Sequence, residues 1–224
     1  MPPVAVPLPA AAAPTDRDAR DHAIKNCAAV ILGVALTMDR HVDEVGRQRI
    51  AQLIDASRRM AKLLAPGFEG RELRSETVRV EDVLRQAVNR LGPIAESRSV
   101  QLAVDCGGGH VVGDGPELAE ALFNLASNAL QASPPNTTVR VTTRESHTGD
   151  HEWIVEDAGC GIPPNLLCRL GTPGVTTRTE GSGFGLALAV QAISRHHGTL
   201  HVESTGVEGR GTTVTVWLPA ALER

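Results

Sequence analysis

Trp153-Ile154-Val155-Glu156-Asp157-Ala158-Gly159-Cys160-Gly161-Ile162 is an apolar strand that runs into a carboxylate and then into two glycines spaced by one residue. A carboxylate at a strand end, facing a pocket, accepts hydrogen bonds from an exocyclic amine such as that of adenine. Glycines beside it let a flat base approach the backbone. An ordinary Asp-x-Gly turn uses the same residues, so the stretch takes its meaning from its surroundings. Upstream, Pro116 to Ser133 has a helical pattern in which Asn124 and Asn128 stand four apart among Leu118, Leu122, Leu125 and Ala129. Two such carboxamides are either solvated helix residues or neutral oxygen donors to a hard cation. Downstream, Gly181-Ser182-Gly183-Phe184-Gly185-Leu186 opens a helix. Amides exposed by glycine, together with the positive end of that helix, suit a phosphate. Gly211-Thr212, entering the last strand, is the fourth piece.

The four pieces, in this order and approximate spacing, resemble the ATP-binding domain shared by gyrase, the ninety-kilodalton heat-shock chaperone, MutL and histidine kinases. The resemblance covers roughly residues 76–219. It implies an α/β sandwich of the Bergerat type that binds ATP with Mg2+. Carried over, Asn128 matches the magnesium ligand and Asp157 the adenine anchor. Gly159 and Gly161 match the adenine-side loop, while Gly181, Gly183 and Gly185, with Leu186, match the phosphate lid. Thr212 falls beside the adenine. Asn124 stands where gyrase-type ATPases carry a glutamate that activates water, and an amide cannot act as that base. The kinase branch is therefore favoured over the hydrolytic one. Gly171-Thr172-Pro173-Gly174-Val175-Thr176-Thr177-Arg178 resembles the kinase lid, with two threonines before a basic residue. Arg178 replaces the commoner lysine, and the aromatic residue usual just before is missing. Arg178 is either a contact to the terminal phosphate or a solvated loop arginine.

Composition narrows the alternatives. Of 22 basic residues only Lys25 and Lys62 are lysines, and neither follows a Gly-rich turn, which excludes a P-loop or a protein-kinase lysine. A net charge of -4, no Tyr, three Phe and two Trp give little to attract or stack nucleic acid. Cys27, Cys106, Cys160 and Cys168 form no zinc-spaced set and read as reduced thiols. Met1 to Pro14 is rich in Pro and Ala, lacks a basic start and has no apolar run of spanning length. It is expected to be a loose, disordered tail on a cytoplasmic protein with no membrane span.

Between that tail and the ATP-binding domain, Ile24, Cys27, Ile31, Val34 and Met38 recur at steps of 3, 4, 3 and 4. After a polar turn around His41 to Gly46, Ile50, Leu53, Ser57, Met60 and Leu64 repeat those steps. Such seams predict an antiparallel helical hairpin over 15–66, completed by a second copy into a four-helix bundle, hence a homodimer. Residues 67–76 read as a linker and 77–224 as the ATP-binding domain, giving an α+β fold overall. Asp21-His22-Ala23-Ile24-Lys25-Asn26 resembles the phospho-acceptor box of histidine kinases, in which an acid follows the histidine and Asn or Thr stands at the fourth place after it. With Ile24 on the seam, His22 falls on the outward face and Asn26 one turn along. The usual acid is Ala23 here, and Asp18, four residues before His22, is the carboxylate that faces it along a helix.

The resemblance thus implies a two-component histidine kinase that autophosphorylates His22 from ATP and passes the phosphoryl group to an aspartate of a response-regulator receiver. Ala23 leaves open a kinase-deficient member acting as response-regulator phosphatase, phosphotransfer protein or ATP-binding adaptor, with Asn26 orienting water. A separate sensor protein is one route by which a signal reaches it.

Overall fold

The computed structural model describes residues 4–5, 74–167, 170, 185–207 and 209–220. Along the chain these form β1 (Val4–Ala5), β2 (Glu76–Arg79), α1 (Val80–Arg98), β3 (Gln101–Cys106), β4 (His110–Gly113), α2 (Gly115–Ala132), β5 (Thr138–Glu145), β6 (His151–Glu156), α3 (Pro164–Leu167), α4 (Gly185–Arg195), β7 (Thr199–Ser204) and β8 (Thr212–Leu218). By its contacts the chain divides into one unit of Met1–Pro9 with Leu73–Arg224 and another of Ala10–Glu72. The expected hairpin over 15–66 lies outside the described residues.

Six strands form a mixed sheet in the order β1-β7-β8-β6-β5-β3, and β2 pairs with β4 apart from it. Among the described residues only β3 and β5 run parallel; every other strand pair is antiparallel. The fold is α+β, as expected. Period-two alternation decides which face of the sheet is covered. On β6, His151, Trp153 and Val155 are buried while Glu152, Ile154 and Glu156 are not. Val139 and Val141 of β5, Leu200 and Val202 of β7, and Val216 and Leu218 of β8 are buried likewise.

The helices cover that face. α2 lies at the centre, packed on α1 and α4 and over β5 and β6. Its start is fixed by Asp114, whose Oδ1 accepts from the Glu117 N–H at 3.1 Å, and by Pro116 in the first turn. Its buried set, including Leu118, Leu122, Leu125 and Leu130, wraps more than one face, as a helix flanked by two others requires. α1 places Glu81 and Asp82 in its first turn and ends at Ser99, in the left-handed region at φ 54. α4 ends where His197 adopts φ 57, and the Gly198 N–H closes back on the Ile193 carbonyl at 2.9 Å.

Two expectations change. Val4–Ala5, expected in a loose tail, form β1 against β7, with Val4 opposite Val202 and Ala5 opposite His201. An edge strand offers unpaired backbone groups that even a short segment satisfies, and the flanking prolines Pro3 and Pro7 keep it short. Glu76, expected in the linker, already pairs with Gly113 in β2. Among the described residues no helix is long and apolar enough to cross a membrane.

Leu130 is fully buried on α2 beneath the sheet. Leu130→Ala is expected to lower unfolding free energy by about 3 kcal/mol, measured by urea titration, because it leaves a cavity in the packed core.

Candidate functional site

Alternation along β6 continues into Asp157, which falls on the same face as Trp153 and Val155, toward the helices. Its main chain still pairs with β8, the Asp157 N–H donating to the Thr212 carbonyl at 3.0 Å. Its Oδ1 accepts two backbone N–H groups, from Gly159 at 2.8 Å and from Thr212 at 3.1 Å. Neither bond uses Oδ2, which has no hydrogen-bond partner among the described residues. Burial pushes the Asp157 carboxyl above the ordinary carboxylate range, against the two N–H groups of Gly159 and Thr212 that pull it down. A half-buried carboxylate held in this way gains from a new hydrogen-bond donor at its free oxygen.

The glycines earn their places by contact. A Cβ at Gly159 would lie 2.6 Å from the Ala132 carbonyl oxygen at the end of α2. Gly161 has φ +72, and its Cβ would lie 2.9 Å from Ser204 Oγ. Gly211, at φ +65, would drive a Cβ into the Asp157 carbonyl. Ser204 ties these loops together, accepting from the Ile162 N–H at 2.8 Å and donating to the Gly211 carbonyl at 3.1 Å. The Thr212 hydroxyl stands 3.4 Å from it, and the Gly159 carbonyl accepts from the Gly209 and Gly211 N–H groups, both at 3.1 Å. Ser204 was not legible as a site residue in the sequence. The only trace is its inward register, two places after Val202.

On α2, Asn124 is 2% exposed, and its Nδ2 has no hydrogen-bond partner among the described residues. Asn128, one turn on, is partly exposed, and Ala132, a further turn on, abuts Gly159. Residues 124, 128 and 132 therefore form one stripe leading to the loop that follows Asp157. Gly185 is buried as the first residue of α4, and Leu186 is partly buried against the core. His22, Asn26, Asp18, Arg178, Gly181 and Gly183 lie outside the described residues.

These groups fit an adenine nucleotide: a carboxylate oxygen with no partner among the described residues, glycine loops that a side chain would block, and a buried carboxamide on the adjoining helix whose Nδ2 has none among them either. Residues 113–222 match the family described as histidine kinase-, DNA gyrase B-, and HSP90-like ATPase. The chain carries a domain of that family over these residues. It carries a histidine-kinase ATPase core, similar to sensor histidine kinase ZraS of Salmonella typhimurium at 31% identity over 205 residues, which covers 88% of this chain and 44% of that protein. It is also 34% identical over 150 residues to the signal transduction histidine-protein kinase/phosphatase MprB of Mycobacterium leprae, covering 64% of this chain and 28% of that protein. The solved mycobacterial MprB aligns with a TM-score of 0.59 at 28% identity over 65% of this chain and 97% of that one. Full-length ShkA in complex with AMPPNP shares the fold, with a TM-score of 0.68 at 22% identity over 94% of this chain and 46% of that one. The chain spans less than half the length of the ZraS and MprB proteins it matches.

Asp157 carries a sign that can be tested. Its carboxyl is raised by folding, so its contribution to stability falls as pH rises from the ordinary carboxylate value through the raised one. Asp157→Asn keeps an Oδ1 acceptor for both N–H groups and removes the buried charge. Its thermal midpoint at neutral pH is expected to equal or exceed that of the wild type, while affinity for an ATP analogue falls at least about tenfold by calorimetry. Gly211→Ala is expected to do the opposite to stability, losing about 3 kcal/mol or more in denaturant titration, since its Cβ meets backbone and its φ is positive.

Proposed function

We propose that this chain is a two-component histidine kinase that binds ATP with Mg2+ at the Asn128–Asp157–Thr212 site and phosphorylates His22. The observation that carries the reading is the Asp157 carboxylate, with Oδ1 engaged by Gly159 and Thr212 and Oδ2 without a partner among the described residues, beside glycine loops. When bound, magnesium-ATP supplies the phosphoryl group and the cation that neutralises it. Asp157 Oδ2 accepts from the exocyclic amine of the base, and Gly159 and Gly161 keep side chains out of its plane. Asn128 offers its carboxamide oxygen to the metal. Among the described residues there is no group of three or more His, Cys, Asp or Glu able to hold a metal. One protein ligand plus phosphate oxygens is the usual arrangement for magnesium. Gly181, Gly183 and Gly185 present amides, and Arg178 a guanidinium, to the phosphates.

Asn124 supports phosphoryl transfer over hydrolysis. It is buried and lies one turn from Asn128, but an amide cannot deprotonate water. Asp18 faces His22 and orients the imidazole for attack, in the place where Ala23 leaves no acid. The 15–66 hairpin pairs with its copy in a homodimer, and the phosphoryl group then moves to an aspartate of a response-regulator receiver. Positioning and charge neutralisation supply most of the rate. A second reading rests on Ala23 and on the kinase/phosphatase named among the relatives. In it the chain acts on a phosphorylated receiver as a phosphatase or adaptor, with Asn26 orienting water.

Incubation with γ-labelled ATP separates the two. Acid-labile, base-stable label on the wild type, absent from His22→Gln and Asn128→Asp, is the expected result. An unlabelled wild type that speeds loss of phosphate from a receiver contradicts the kinase and favours the second reading. Asp18→Asn is expected to slow labelling roughly tenfold or more and Ala23→Glu to raise it; an unchanged Asp18→Asn rate contradicts the role given to Asp18.

A further inference from the structure

His196 follows α4 and is 4% exposed. Its Nδ1 lies 2.7 Å from the Ala192 carbonyl, an acceptor only, so Nδ1 carries the proton and Nε2 is left as an acceptor. The Asp114 N–H donates to Nε2 at 2.9 Å. Asp114 is the N-cap of α2, so one imidazole joins the last turn of α4 to the first turn of α2. Gly113 makes room for it, since a Cβ there would overlap the ring. Beside it, Arg195 and Glu117 pair at 3.2 Å between the same two helix ends, both side chains largely buried.

Resting on the nucleotide-site reading above, we propose that His196 is a positioning residue for the nucleotide, its neutral imidazole setting the placement of α4 and Gly185 against α2 and Asn128. A helix transmits a shift along its length, and the 11 residues of α4 span roughly 16 Å from this clamp to Gly185. Protonation turns Nε2 from acceptor to donor, facing the Asp114 N–H, and the clamp opens. The charged groups facing the ring are the Asp114 carboxylate, which favours protonation, and Arg195 and His197, which oppose it; Glu117 holds Arg195. Burial outweighs the bond to the Ala192 carbonyl and the Asp114 charge, and holds His196 below the usual imidazole value. The clamp is thus fully made above that value and lost as pH falls through the depressed one. Apparent nucleotide affinity falls with the clamped fraction.

The test is calorimetry of magnesium-ADP with the full chain, comparing wild type, His196→Gln and His196→Phe. It runs from about pH 8 to about pH 5.5, at temperatures where circular dichroism shows each protein folded. His196→Gln keeps an amide acceptor for the Asp114 N–H and does not titrate. It is expected to match the wild type at high pH and to bind more tightly than the wild type at the acid end, by less than about tenfold, with the gap widening as pH falls. His196→Phe is expected to bind roughly tenfold more weakly at high pH, with only the pH dependence of the nucleotide itself. Coincident wild-type and His196→Gln profiles, or a His196→Phe affinity equal to wild type, overturn the proposal. Should His196→Phe fail to fold, the wild-type and His196→Gln profiles decide alone. A wild type that binds no magnesium-ADP at high pH overturns the nucleotide reading, and the clamp's role with it.

Discussion

The site depends on one carboxylate oxygen. Asp157 Oδ1 accepts from Gly159 and Thr212, and so joins the loop leaving β6 to the start of β8. That pair of hydrogen bonds adds to those of Ser204 with Ile162 and Gly211 and of the Gly159 carbonyl with Gly209 and Gly211, which hold the same loops. Through the pair on Oδ1, Oδ2 is held in one orientation. A group buried enough to resist ionisation is thereby kept as an acceptor for one added donor. The close approach of Gly211 to the Asp157 carbonyl and of Gly159 to Ala132 shows how little space the arrangement leaves. Any side chain at either position would push β8 or α2 away from the strand end.

Much of this was legible in the residues because local signals agreed with the global pattern. The alternation of Trp153, Val155 and Asp157 places the carboxylate inward without reference to any other strand. Pro116 marks the start of α2, and the spacing of Asn124 and Asn128 puts both on one face of it. What was not legible depends on contacts distant in sequence. Ser204 becomes a junction only because Ile162 and Gly211 are brought to it from separate loops. His196 reads as one of two adjacent histidines until the sheet and helices set it against Asp114, 82 residues away. β1 escaped because a Val-Ala pair between prolines has no periodicity, and only the open edge of β7 gives it a partner. His22, Asn26, Asp18, Arg178, Gly181 and Gly183 rest on sequence alone.

The buried amide at Asn124 links the fold to the choice of chemistry. The same helix position, one turn before Asn128 and facing inward, can carry a base that activates water or a group that cannot. An amide there holds a polar atom in the site without providing a hydrolytic route, which suits a nucleotide whose phosphoryl group is to be passed to a side chain. The helices that frame it are fastened to each other at α4's last turn and α2's first, so the groups proposed for base, metal and phosphate all hang on α2, α4 and the β6–β8 pair.

The most direct test of the Asp157 site is nuclear magnetic resonance mapping with magnesium and a non-hydrolysable ATP analogue beside the matching GTP analogue. Adenine presents an amine to Asp157 Oδ2, whereas guanine presents a carbonyl oxygen that the carboxylate repels. The ATP analogue is expected to shift the Gly159, Gly161 and Thr212 amides and the Asn128 side-chain amide, and the GTP analogue to leave them unmoved. Equal shifts with both, or shifts confined to residues remote from Asp157, would contradict it.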